Sequence, residues 1–130
     1  ELTFAMILRK LLVALILVGA ATPAVSGSAD IVSVDVRPTG PGLYRFDVTL
    51  RHPDTGWAHY ADKWEVLAPD GRVLATRTLL HPHVEEQPFT RSLGAVSVPP
   101  TVGRVTIRGH DNVDGYGKVT KTVEIQPLTE

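Results

Sequence analysis

The chain has 130 residues, of which 43% are hydrophobic, and its 13 basic and 14 acidic side chains nearly cancel. This even balance gives no electrostatic footprint for nucleic acid or for an anionic membrane surface. The absence of cysteine excludes, within this sequence, disulfides, thiol catalysis, cysteine metal sites and the acylated cysteine of a bacterial lipoprotein.

An export signal is predicted at the start of the chain. Arg9 and Lys10 form a short positive region, and an unbroken apolar run follows over residues 11–21. The run is short for a membrane span, and small residues after it offer cleavage sites. We therefore expect residues 1–29 to consist of the signal peptide and a few residues upstream of it. Residues 30–130 would form a single periplasmic or secreted domain without a membrane span.

The rest of the chain alternates apolar and polar side chains between frequent prolines and glycines, which predicts many short β-strands. The predicted strands, in chain order, are 32–36, 44–51, 59–68, 72–80, 89–98, 104–110 and 118–126. Seven strands of this length and spacing predict an all-β domain, a seven-stranded β-sandwich of the immunoglobulin or fibronectin type III type.

Two resemblances accompany this pattern. GRVTIRGHDNVDGYGKVTKTVEI, residues 103–125, resembles the closing hairpin of fibronectin type III domains, with a glycine-rich loop between two alternating strands. Over a longer span, GWAHYADKWEVLAPDG, LLHPHVEEQPFTRSL and TIRGHDN are similar to an uncharacterised group of small exported bacterial β-sandwich proteins. The resemblance implies a fold and an exported location, and it implies no particular activity.

The predicted topology gathers the histidines at one end of the domain. In such a fold, the loops after the second and fourth strands and the loop between the last two strands lie at the same end. All five histidines fall in or beside these loops: His52, His59, His81, His83 and His110. Other side chains of this histidine-rich end would complete its surface: Trp57, Asp62, Glu85, Asp111 and Asp114.

A metal site is one hypothesis for this end. His81 and His83 flank Pro82, which favours an extended backbone, and extended residues two apart point the same way, about 6.5 to 7 Å apart. Their imidazoles can therefore converge on one ion, with His59 and His110 as further ligands. Such a site, without thiolates, favours Cu(II) or Zn(II). The alternative is that the polar loops are simply solvent-exposed surface.

Three functions stay open from the sequence. The first is an exported, non-enzymatic binding or interaction module of the bacterial cell envelope, with an unknown envelope protein or small ligand as its partner. The second is a periplasmic copper or zinc protein. The third is a hydrolase-like enzyme that uses a histidine and Asp62 as an acid/base pair. A shallow surface on so small a domain rarely encloses a substrate, so we expect no enzymatic activity.

Overall fold

The computed structural model describes residues 27–126, so most of the predicted signal peptide lies outside the described residues. Within this range the chain forms β-strands and turns. The strands are β1 (Asp30–Gly40), β2 (Leu43–Arg51), β3 (Ala61–Leu67), β4 (Val73–Thr78), β5 (Phe89–Ser97), β6 (Arg104–Asp111), β7 (Gly115–Tyr116) and β8 (Lys121–Glu124). Among the described residues we find no helix that has the length and apolar character to cross a membrane.

The strands form two antiparallel sheets. The first has the order β1-β2-β5, and the second has the order β4-β3-β6-β7, with β8 also paired to β6. Side chains from both sheets contribute to one buried cluster, which includes Phe46 of β2, Phe89 of β5, Trp64 of β3 and Ile107 of β6. The prediction of an all-β domain is confirmed.

The alternation of apolar and polar residues predicts the central strands well, and it predicts the first and last strands less well. In β2, Tyr44, Phe46, Val48 and Leu50 are buried and their neighbours are not, as the period of two requires. The predicted final strand, residues 118–126, is shortened to β8, and β7 forms in the predicted loop before it, so the described residues contain eight strands instead of seven.

The first strand also differs from its prediction. It continues to Gly40, through most of the segment expected to turn. The register shifts between Ile31 and Ser33, and this irregularity leaves Ile31 buried and Val32 exposed. One inserted residue reverses which face the following side chains occupy, so the alternation of the first strand does not extend through Val32.

A second irregularity in β3 determines the position of Asp62. Ala61 pairs with Asp111 and Lys63 pairs with His110, so the register shifts around Asp62. Ala61 and Trp64 are both buried, although they are three residues apart. Alternation with Trp64 would place Asp62 on the buried face, but the register shift breaks that alternation, and the Asp62 side chain is 27% exposed.

The segment before β1 packs closely against the second sheet. The carbonyl oxygen of Ala29 would lie only 2.8 Å from a Cβ atom at Gly109, and a Cβ atom at Gly117 would overlap it. The amide of Ile31 donates to the carbonyl oxygen of Val119 at 3.0 Å. Glycine is needed at both positions because the backbone of Ala29 occupies the space of a side chain.

Candidate functional site

The site lies at the end of β2, where the inward-facing residues change from apolar to polar. Leu50 is the last apolar member of the alternating series, and the next inward positions are His52 and Asp54, which are 0% and 5% exposed. The buried face of β6 ends similarly, because Asp111 is fully buried two positions beyond Gly109. Polar side chains thus replace the core at this end of the two sheets.

Asp54 organises this end through three contacts. Its Oδ1 accepts a hydrogen bond from the amide of Ala61 at 3.0 Å and lies 2.5 Å from Nδ1 of His52. Its Oδ2 accepts from the amide of His83 at 2.7 Å. An ionised Asp54 requires the proton of a neutral His52 to reside on Nδ1, which leaves Nε2 with a free lone pair.

Asp111 faces that nitrogen. Its Oδ1 accepts from the amides of Val113 at 2.9 Å and Asp114 at 2.5 Å, while its Oδ2 lies 3.3 Å from Nε2 of His52. Burial opposes ionisation of Asp111. The two amides, together with the nearby His52 and His59, outweigh it and lower the pKa of Asp111.

His59 completes the group from the tight turn that precedes β3. Its Nε2 lies 3.3 Å from Oδ1 of Asp111 and 3.0 Å from Oδ2 of Asp114. Its ring meets that of His52 edge to face, with centroids 4.8 Å apart. Gly27 lies against this ring, where a Cβ atom would come within 2.8 Å of Cε1.

We refer to His52, His59 and Asp111 as the buried His–Asp cluster. One ligand atom from each of the three lies within 4.8 Å of the others. Nε2 of His52, Nε2 of His59 and Oδ2 of Asp111 are all buried and have no hydrogen-bond partner within residues 27–126. Buried polar atoms are normally paired, so three unpaired atoms facing one another call for an explanation.

The predicted pair His81 and His83 is arranged differently. The two rings lie 4.6 Å apart, and His83 is buried and stacked on Phe89 at 3.9 Å. Nε2 of His83 lies 2.8 Å from a guanidinium nitrogen of Arg91, which can only donate. Burial first, and then Arg91 and His81, lower the pKa of His83. Nδ1 of the exposed His81 lies 3.0 Å from the carbonyl oxygen of Pro82.

His110 lies in a third place. Its Nδ1 contacts Oδ1 of Asp62 at 2.6 Å, and its ring meets Tyr116 edge to face at 4.7 Å. Neighbouring residues on a strand point to opposite faces, so His110 is separated from the inward-facing Asp111 by the sheet itself. The four predicted metal ligands His59, His81, His83 and His110 are thus distributed over three contact groups.

The remaining predicted residues form the exposed rim of this end. Trp57 is 66% exposed and packs edge to face on Tyr60 at 5.5 Å. Its carbonyl oxygen accepts from the side-chain amide of Asn112 at 3.0 Å, which joins the loops before β3 and after β6. Glu85 is exposed, and the side chain of Asp114 is 50% exposed.

No protein-family model matches the chain, and no solved structure matches it significantly. A protein of Halomicrobium mukohataei named "Putative lipoprotein" is 40% identical over 98 residues. The similar region covers 75% of this chain and 48% of that relative, so the chain spans about half the relative's length.

Proposed function

We propose that this protein is an exported, non-enzymatic binding module of the cell envelope, and that it binds through its histidine-rich end. The binding part rests on one observation, the three buried polar atoms of the buried His–Asp cluster that have no hydrogen-bond partner among the described residues. The envelope location is supported by the 40% identity to a protein named as a lipoprotein.

The strand order supports the finer fold proposal, an immunoglobulin-like sandwich of the fibronectin type III kind. The β1-β2-β5 sheet opposes a sheet in which β3 lies between β4 and β6. β7 and β8 both pair with β6, as two halves of a single interrupted last strand would. Domains of this architecture present their loops as binding surfaces on a rigid scaffold. The architecture by itself does not indicate a ligand.

The proposal that the protein is not an enzyme is supported by where its cavities and histidines lie. A cavity of about 430 Å³ is lined by apolar residues such as Tyr44, Val98 and Ile125, at the end of the sheets away from the histidines. The pair of Asp62 and His110, the best remaining acid/base candidate, lies on the outer face of a sheet. Catalysis normally places such groups in an enclosing pocket.

Expression of the full chain followed by cell fractionation tests this function. We expect the protein in the envelope or exported fraction, and its retention in the cytoplasm would contradict the proposal. Trp57→Ser, at the exposed rim, is expected to weaken association with isolated envelopes. Leu43→Ser, an exposed apolar position at the other end of β2, serves as the matched control. Equal loss in both variants would argue against binding through the histidine-rich end.

A second candidate, a periplasmic copper or zinc protein, is favoured by the facing imidazole nitrogens and carboxylate of the buried His–Asp cluster. Imidazole nitrogens and carboxylate oxygens suit Cu²⁺ and Zn²⁺, which such ligands bind more tightly than they bind most other divalent first-row metal ions. The residues differ from the set predicted from the sequence, since His52 and Asp111 replace His81, His83 and His110.

A further inference from the structure

We propose that His52, His59 and Asp111, with Asp114 at the solvent edge, hold a divalent first-row transition-metal ion of the Zn²⁺ type. This inference rests on the proposed function, because it names the ligand of the same end of the molecule. Two imidazole nitrogens and two carboxylates neutralise the ion's charge and match the donors that Zn²⁺ accepts. Mg²⁺ and Ca²⁺ prefer oxygen ligands alone and would fit poorly.

The contacts between Asp111 and the two imidazoles are longer than short charge-assisted hydrogen bonds and close to the spacing of neighbouring metal ligands. In a tetrahedral site with metal–ligand bonds near 2.0 to 2.1 Å, neighbouring ligand atoms lie about 3.3 Å apart. Oδ2 of Asp111 lies 3.3 Å from Nε2 of His52, and its other oxygen, Oδ1, lies 3.3 Å from Nε2 of His59. The single ligand atoms that the three residues would offer lie within 4.8 Å of one another, so the side chains would draw together around an ion. Charge-assisted N–H···O bonds are shorter, at about 2.7 to 2.9 Å. A bound ion would supply the missing partner for all three buried atoms.

The surroundings of His52 resemble those of a metal-bound imidazole. Asp54, itself held by the amides of Ala61 and His83, contacts Nδ1 of His52. Such a carboxylate fixes the ring orientation, keeps the lone pair on Nε2 and raises the basicity of the ligand. The amides of Val113 and Asp114 fix the Asp111 carboxylate in the same way. Two of the proposed ligands are therefore oriented before any ion binds.

An ion can reach this site from one side. The His52 and Asp111 side chains are fully buried, whereas those of His59 and Asp114 are 26% and 50% exposed. The exposed pair lies 3.0 Å apart and forms the outer edge of the cluster. This arrangement of two fixed inner ligands and two accessible outer ligands is suited to reversible loading.

Zinc titration of the exported full chain tests the inference. The protein is stripped of metal with a chelator and titrated with Zn²⁺ by calorimetry, and we expect one ion per chain with Kd below about 1 µM. His59→Gln should weaken binding by more than about 100-fold, because it removes a ligand and keeps the size of the side chain. His81→Gln, the matched histidine control, should change Kd by less than about threefold. Co²⁺ bound at the site should give the visible absorption of tetrahedral coordination.

Two outcomes would overturn the metal centre. In the first, the folded, exported protein does not bind Zn²⁺, which is expected if the histidines only form ion pairs with Asp111. In the second, Zn²⁺ binding depends on His81 and not on His59. If His59→Gln does not fold, Asp114→Asn replaces it, with an expected loss of about tenfold. Failure to bind zinc leaves the envelope-binding module standing. Retention of the protein in the cytoplasm overturns that function, whatever the titration shows.

Discussion

Two pairs of histidines lie at the same end of this protein, and they have different environments. His52 and His59 approach each other beside a buried carboxylate, and in the part of the chain that the structure describes their Nε2 atoms have no hydrogen-bond partner. His81 and His83 are separated by one residue in the sequence, and their rings are as close. Nε2 of His83, however, lies against Arg91, and its ring stacks on Phe89.

The comparison shows that proximity of imidazoles is a poor guide to a binding site, and that the partners of their nitrogens are a better one. A guanidinium donates to His83 and occupies the lone pair that a metal would need. At His52 and His59 the Nε2 atoms face oxygens of Asp111 at 3.3 Å. Asp54 contacts both histidine pairs, so a substitution of Asp54 is the first test of the difference between them.

The largest effect is expected for Asp54→Ala. The substitution removes the acceptor of two backbone amides and leaves His52 in a buried site without its carboxylate. Breaking such a buried pair costs about 3 to 5 kcal/mol, which urea unfolding would measure as a lower midpoint. Asp47→Ala is the matched control, because Asp47 lies on the outer face of β2, where Ser92 and Arg45 donate to it. We expect that control to lose less than about 1 kcal/mol.

If Asp54→Ala lowers the free energy of unfolding no more than Asp47→Ala does, the Asp54 carboxylate is hydrated and the histidine-rich end is open to solvent. The two histidine pairs would then differ little. A large loss of stability would support the view that both histidine pairs are anchored to the one buried carboxyl group of Asp54.

A smaller loss of stability is expected for Gly117→Ala. Its Cβ atom would overlap the carbonyl oxygen of Ala29, and the backbone on both sides offers little freedom to move. Overpacking of this kind costs about 1 to 3 kcal/mol. Gly103→Ala, where a Cβ atom would meet nothing within 4 Å, should stay within about 0.5 kcal/mol of the parent in thermal unfolding.

The same packing bears on the predicted domain boundary. Gly27 lies against His59 of the cluster, whereas His81 is exposed among the described residues. A chain that begins at Asp30 would lose the buried Ala29, so we expect it to unfold at a lower temperature than one that begins at Gly27. Equal melting temperatures would show that this segment does not contribute to the core.

The pH dependence of stability distinguishes the two pairs further. Burial and the charge of Arg91 lower the pKa of His83 in the folded protein, whereas in the unfolded chain it is near 6.5. The unfolded state therefore binds the proton more readily. The contribution of His83 is fully present above about pH 6.5 and is lost as pH falls through the folded-state pKa.

We expect the melting temperature, measured with a metal chelator present, to fall between pH 7.5 and 5.5. The fall should be smaller in His83→Gln, which cannot titrate and keeps an acceptor for Arg91. It should change less in His81→Gln, which removes only the nearby charge of His81 and leaves the burial of His83 and its contact with Arg91 in place. An identical pH dependence in all three proteins would contradict a neutral, buried His83.

Much of the fold, and part of the site, could be read from alternation. Continuing the inward series of β2 beyond Leu50 reaches His52 and Asp54, and continuing that of β6 beyond Ile107 reaches Asp111. That signal was present in the sequence and would have identified three of the buried polar residues. The prediction relied instead on the spacing of His81 and His83, which specifies only that their side chains can approach each other.

Other features depend on contacts that no local pattern specifies. The register shift around Asp62 turns its carboxylate toward His110, and alternation through that position predicts the opposite face. Arg91 reaches His83 from β5, in a different element of the structure. Both are consequences of packing between segments, so sequence periodicity cannot report them.

The smallest effect, and the one most specific to the His52 and His59 side, is expected for Gly27→Ala. The new methyl group would lie 2.8 Å from Cε1 of His59 and 2.9 Å from Oδ2 of Asp114, and both side chains can shift by rotation. Because two of the proposed ligands move together, zinc affinity should fall by less than about tenfold while stability changes little. The pH dependence attributed to His83 should not change, since this position contacts only the other pair. If Gly27→Ala left the zinc affinity unaltered and changed the pH dependence of stability, the roles assigned to the two histidine pairs would be reversed.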